Sequence, residues 1–122
     1  MAQQESNSAS LEERFDNALT KSVEETISEV LGKNVSDAFG YHLYAYLGLS
    51  SADIPTHLNE FFTALIGSFG VGGKVLGGRM IRKLYAKLDL TLTESNSSLS
   101  DFSLEYTNRV QEARKRFLNH GS

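Results

Sequence analysis

The chain is 122 residues long, 40% hydrophobic and 22% charged, with 12 Lys and Arg against 15 Asp and Glu, one Pro and no Cys. That length fits one compact domain and leaves no room for a second large one. The net charge of −3 has the wrong sign for a non-specific phosphate binder, and the lack of cysteine excludes disulfides, thiolate zinc sites and thiol catalysis.

The opening residues MAQQESNSAS lack the charged-then-apolar order of a secretory signal, so residues 1–9 read as a polar leader to a helical domain at 10–90. Ser10 and Glu13 have capping-box spacing. Leu11, Phe15, Leu19, Val23, Ile27 and Leu31 follow at every fourth position, predicting a helix that ends at Gly32. A constant step of four drifts around the helix, so Ala18 and Val30 are expected to keep the stripe on its partner. Asn34 is the expected cap of a second helix carrying Val35, Phe39, Leu43, Tyr46 and Leu47 and stopping at Gly48.

Leu49 to Pro55 reads as a turn, with the proline at the edge of a third helix that buries Leu58, Phe61, Phe62, Leu65, Ile66 and Phe69. The glycine-rich run 67–73 breaks the pattern. A fourth helix resumes from Lys74 to Leu90 through Val75, Leu76, Met80, Ile81, Leu84, Tyr85 and Leu88, and its wide apolar circumference marks it as central. Residues 91–98 form a polar linker. Leu99, Phe102, Tyr106, Val110, Ala113 and Phe117 then mark a C-terminal helix over 99–120. The predicted fold is all-α, a compact four-helix core with an additional C-terminal helix. No run is apolar enough to span a bilayer, and the expected location is the cytoplasm.

Charge is segregated. Residues 1–31 carry −5, residues 32–60 carry −2, residues 61–90 carry +4, and the remainder is neutral. The acidic first helix and the basic fourth can pair within one molecule, pair between two, or leave the basic face to an acidic partner. Arg79, Arg82, Lys83 and Lys87 fall on one side of the fourth helix, and Arg109, Arg114, Lys115 and Arg116 load the fifth. These residues carry the alternative reading, a nucleic-acid-associated regulator.

Catalytic chemistry has little to build on. Gly72-Gly73-Lys74 resembles a phosphate loop, yet Ser68 and Val75 stand where a P-loop requires Gly and Ser or Thr, so a helix–helix corner is the better reading. His57 and Glu60 supply at most two metal ligands, and His42 and His120 have no metal-site spacing. No catalytic residue, cofactor or metal is expected. Gly73, Gly77 and Gly78 bare one face of the fourth helix and predict a close crossing, within the chain or at a dimer interface. His42 stands between Tyr41 and Tyr44 at the expected edge of the core or of an interface, which makes the two tyrosines interaction candidates. The stripe Phe102, Tyr106, Val110 and Phe117 must be covered by its own chain or by a second copy, and a homodimer through this helix is the expectation.

Three blocks bear a family resemblance: Ala52-Asp-Ile-Pro-Thr-His-Leu-Asn-Glu-Phe61, then Ser68-Phe-Gly70, then Val75-Leu and Met80 to Leu90. Over about residues 20–90 the chain resembles a small helical family of output domains from archaeal signal-transduction proteins, the Nitrosopumilus output-domain type. The resemblance implies a non-catalytic α-helical module and assigns no functional residue. Together with the absence of catalytic motifs, it leads to the expectation of an interaction or regulatory module with a protein partner, a signalling output or adaptor rather than an enzyme.

Overall fold

The computed structural model describes residues 7–92 and 101–120. Residues 1–6 of the expected leader, 93–98 of the expected linker, and Leu99 lie outside the described residues. The described residues form five α-helices and one 3-10 helix, with no strand among them.

Helix α1 spans Asn7–Leu31. It begins three residues before Ser10, which therefore lies inside the helix and not at its cap, because extending a formed helix costs far less than starting one. Phe15, Leu19, Val23 and Ile27 are buried, but the drift of a four-residue step carries Val30 and Leu31 out to solvent. Ser22 and Thr26, not Val30, hold the stripe on the core. Ser22 is buried at little cost because its hydroxyl donates to the Ala18 carbonyl at 2.7 Å within the helix.

A single residue, Gly32 at φ 97°, separates α1 from α2, Lys33–Leu47. Gly32 is the cap in place of Asn34, which sits in the first turn; the Gly32 carbonyl already accepts the Ser36 N–H at 3.1 Å. Of the expected stripe only Phe39 and Leu43 are buried, whereas Tyr46 and Leu47 face solvent. The expected turn after Gly48 is a 3-10 helix, Ser51–Thr56, with Pro55 buried inside it instead of at the edge of the next helix. Ser50 and Asp53 hold its start: the Ser50 N–H donates to Asp53 Oδ2 at 3.0 Å, and the Asp53 N–H returns to the Ser50 carbonyl at 2.9 Å.

Helix α3, Leu58–Phe69, buries Leu58, Phe61, Phe62 and Leu65, whereas Ile66 and Phe69, expected in the same stripe, are half-buried. Phe61 meets Phe39 and Phe62 edge to face, with ring centroids 6.1 and 5.1 Å apart. Gly70, at φ 60°, turns α3 directly into α4, Val71–Lys87, which therefore begins before Lys74. Val75 is exposed, but Leu76, Met80, Ile81, Leu84 and Tyr85 are buried, and α4 contacts α1, α3 and α5 as the central helix.

Helix α5, Phe102–His120, is the expected C-terminal helix, and it packs on α1, α3 and α4. Val110 and Ala113 are 0% exposed, and Phe117 packs on Phe15 with centroids 6.3 Å apart. Two tyrosines stitch the helix to α4: the Tyr85 hydroxyl donates to the Arg109 carbonyl at 2.9 Å and the Tyr106 hydroxyl to the Lys74 carbonyl at 2.7 Å. Within the chain the stripe packs on the core, Val110 wholly buried and Tyr106 and Phe117 partly so.

Phe62 and Val110 test the packing from opposite sides. Phe62→Ala is expected to cost about 3–5 kcal/mol. Val110→Asp, which leaves a carboxylate unpaired in the core, is expected to abolish the cooperative melt. Thermal unfolding followed by circular dichroism checks both.

Candidate interaction surface

The basic stripe expected on α4 divides between two sides. Lys83 reaches Glu29 at 3.1 Å and Glu25 at 3.9 Å, and Lys87 reaches Glu25 at 3.1 Å, so both lysines face α1. Arg82 lies toward α5, where its charge acts on Tyr106, and Arg79 is exposed. On α5, Arg114 pairs with Asp16 of α1 at 2.9 Å, and Arg116 donates to the Thr91 carbonyl at 2.9 Å. Of the three uses open to segregated charge, pairing within one molecule accounts for Lys83 and Lys87. These pairs are partly solvated, so they contribute little stability; their effect is to occupy the charges.

The chemical candidates fare similarly. Around Gly72-Gly73-Lys74 the N–H groups of Gly73 and Lys74 already donate to the Gly70 carbonyl, at 2.9 and 3.3 Å, and the Lys74 ammonium lies 4.8 Å over the Phe102 ring. His57 Nδ1 lies 3.1 Å from the Asp53 carbonyl and 3.0 Å from the Thr56 hydroxyl, which fixes the ring at the end of the 3-10 helix. No group of three or more His, Asp or Glu among the described residues is placed to hold a metal ion. Among the candidates on α5, Tyr106 and Phe117 are partly buried against the core and Val110 wholly so, while Phe102 packs against Tyr106 at 5.8 Å. Burial pushes the Tyr85 and Tyr106 phenols above their ordinary range.

Tyr41 and Tyr44 are different. They are 73% and 64% exposed, on the side of α2 turned away from the buried Phe39 and Leu43. Tyr46 and Leu47, 76% and 46% exposed, continue the Phe39–Leu43 side of the helix past the end of the core, and His42 packs between Phe39 and Tyr46, with centroids 6.4 and 4.6 Å away. Reading Tyr46 and Leu47 as core residues was the error of the sequence pattern. No charge marks the difference, since buried and exposed residues alike fall in the stretch from Ala38 to Ala52, which has no Asp, Glu, Lys or Arg. Beside this face an open groove of about 530 Å³ runs between α1, α2 and the 3-10 helix. Its floor includes Val23, Ile27, Leu43 and Ile54, all nearly inaccessible, and Ser28, Ser36, Ser50 and Tyr44 also line it.

Comparison with protein-family models, curated proteins and solved structures finds no match. No helix among the described residues is long and apolar enough to cross a membrane.

The Glu25 carboxyl is held below its ordinary 4.5, first by the hydrogen bond from Lys87 and then by the charges of Lys87, Lys83 and Lys21. A carboxylate with a lowered folded pKa stabilises above 4.5 and loses that contribution as pH falls through the folded value. Melting temperatures measured from pH 7 down to pH 3 are therefore expected to fall below pH 4.5 in the native chain and to fall less steeply in Glu25→Gln.

Proposed function

We propose that this chain is a non-catalytic helical interaction module, a signalling output or adaptor domain of the cytoplasm, which acts by protein–protein contact through the outer face of α2. The observation that carries this reading is the pair of strongly exposed tyrosines, Tyr41 and Tyr44, on a helix whose opposite side is rooted in the core through Phe39 and Leu43. Tyrosine is well suited to such a face, since a ring offers a large contact area with few torsions to freeze and a hydroxyl that remains satisfied at a wet rim. The resemblance to archaeal output domains adds support, because it too implies a helical module without catalytic residues.

Nucleic acid is the weaker partner. Lys83 and Lys87 are paired with glutamates, Arg114 with an aspartate, and the chain is net acidic. Affinity capture from a native host lysate separates the two readings when the bait is the native chain, Tyr44→Glu or the double variant Arg79→Glu with Arg82→Glu. The expected result is a set of proteins lost with Tyr44→Glu and retained with the arginine variant. Loss with the arginine variant alone, accompanied by a salt-dependent mobility shift with nucleic acid, would contradict the proposal.

A further inference from the structure

Helix α2 rests on the body of the protein through two buried side chains. We propose that it is a latch: a unit bounded by Gly32 and Gly48 that releases and unfolds while α1, α3, α4 and α5 stay packed, uncovering the apolar seat of Phe39.

Three observations carry this. The first is anchorage. Phe39 and Leu43 are the buried residues among the fifteen of α2, with Val35 half-buried beside them, whereas α3 buries four of twelve and α4 seven of seventeen. Polar ties follow the same division. The Tyr85 and Tyr106 hydroxyls join α5 and α4, Lys83 and Lys87 reach from α4 to glutamates of α1, and Arg114 reaches from α5 to Asp16. Among the described residues, no side chain of α2 makes a hydrogen bond or ion pair to another element; Lys33 and Asp37 pair with each other, inside the helix.

The second is the junctions. Gly32 at φ 97° and Gly48 at φ 69° bound the helix, and nothing lies within 4 Å of where a Cβ would stand at either. The torsions that release α2 therefore turn in open space. Between them the segment is a poor helix by itself: fifteen residues are marginal in water, and Gly40 in the middle adds a penalty that no contact within the chain offsets. Once released, α2 loses its helical hydrogen bonds, so opening and melting are one event.

The third is the seat. Phe39 lies against Phe61 and Phe69, with ring centroids 6.1 and 5.4 Å apart. The open groove between α1, α2 and the 3-10 helix has Phe39, Leu43 and Phe61 in its lining, so one flank of the anchorage already borders open space. The close approaches that fix α4 against α3 and α5, at Gly73 and Gly77, involve no residue of α2 and survive its release. Such an opening belongs to the low-energy end of the range between fraying and global unfolding. Tyr41 and Tyr44 ride on the latch, so a partner that grips their face favours the closed state. The latch itself stands without that reading, and its test needs no partner.

Native-state hydrogen exchange on the full chain at low urea concentrations is that test. The amides from Phe39 to Leu47 are expected to exchange as one group, on the order of a hundredfold faster than those from Met80 to Tyr85 of α4, and with a weaker urea dependence because less surface is exposed. Phe39→Ala withdraws the anchor: the α2 amides lose protection and the helical circular dichroism signal falls by the share of fifteen residues, while the amides from Met80 to Tyr85 stay protected. Exchange of α2 and α4 at one rate with one urea slope overturns the latch, as does a gradient from the helix ends in which Phe39 and Leu43 are as protected as α4. A Phe39→Ala chain that unfolds throughout, or that keeps α2 protected, overturns it as well. The capture experiment with Tyr44→Glu judges the interaction reading separately.

Discussion

The close approach of α4 to its neighbours is the constraint on which the rest of the structure depends. At Gly73 a Cβ would stand 2.6 Å from the Leu65 carbonyl oxygen and 2.7 Å from the Ile66 Cα, so the backbones of α3 and α4 touch where no side chain fits. One turn later, a Cβ at Gly77 would enter the Tyr106 ring. That ring cannot swing aside cheaply, because its hydroxyl is bonded to the Lys74 carbonyl and its face is boxed by Phe62 and Phe102. Two absent side chains thus set the spacing of three helices.

From this seam follows the allocation of surfaces. Once Tyr106 is seated over Gly77, α5 is fixed along α4, and its apolar stripe closes the core through Val110 and Ala113. On the other side of α4, Lys83 and Lys87 fall within reach of Glu25 and Glu29, which occupies much of the opposite charge carried by the two helices. The α2 helix is left with core contacts through Phe39 and Leu43 on one side and the exposed rings of Tyr41 and Tyr44 on the other. The proposed module uses what the packing did not consume.

Much of this was legible in the sequence. The spacing of Leu58, Phe61, Phe62 and Leu65 located the centre of the core, the apolar breadth of 74–90 marked a central helix, and the bare glycine face announced a tight crossing. What periodicity does not encode is destination. The stripe Tyr106, Val110 and Phe117 shows that a cover is required without naming it, and the ring that fits Gly77 comes from a distant part of the chain. Tyr46 and Leu47 were misread because apolar spacing on α2 describes more surface than α1 and α3 cover. The 3-10 helix escaped because a buried proline in a tight turn and a proline at a helix edge look alike in sequence.

The central claim is that missing side chains on α4, and not glycine flexibility, hold the helices together. Urea unfolding of Gly73→Ala, Gly77→Ala and Gly40→Ala tests it most directly. Alanine at the open Gly40 site is expected to stabilise by about 0.5–1 kcal/mol through helix propensity. At Gly73 and Gly77 overpacking is expected to reverse the sign and cost about 1–3 kcal/mol. If all three substitutions stabilise alike, the close crossing, and the allocation of surfaces derived from it, is contradicted.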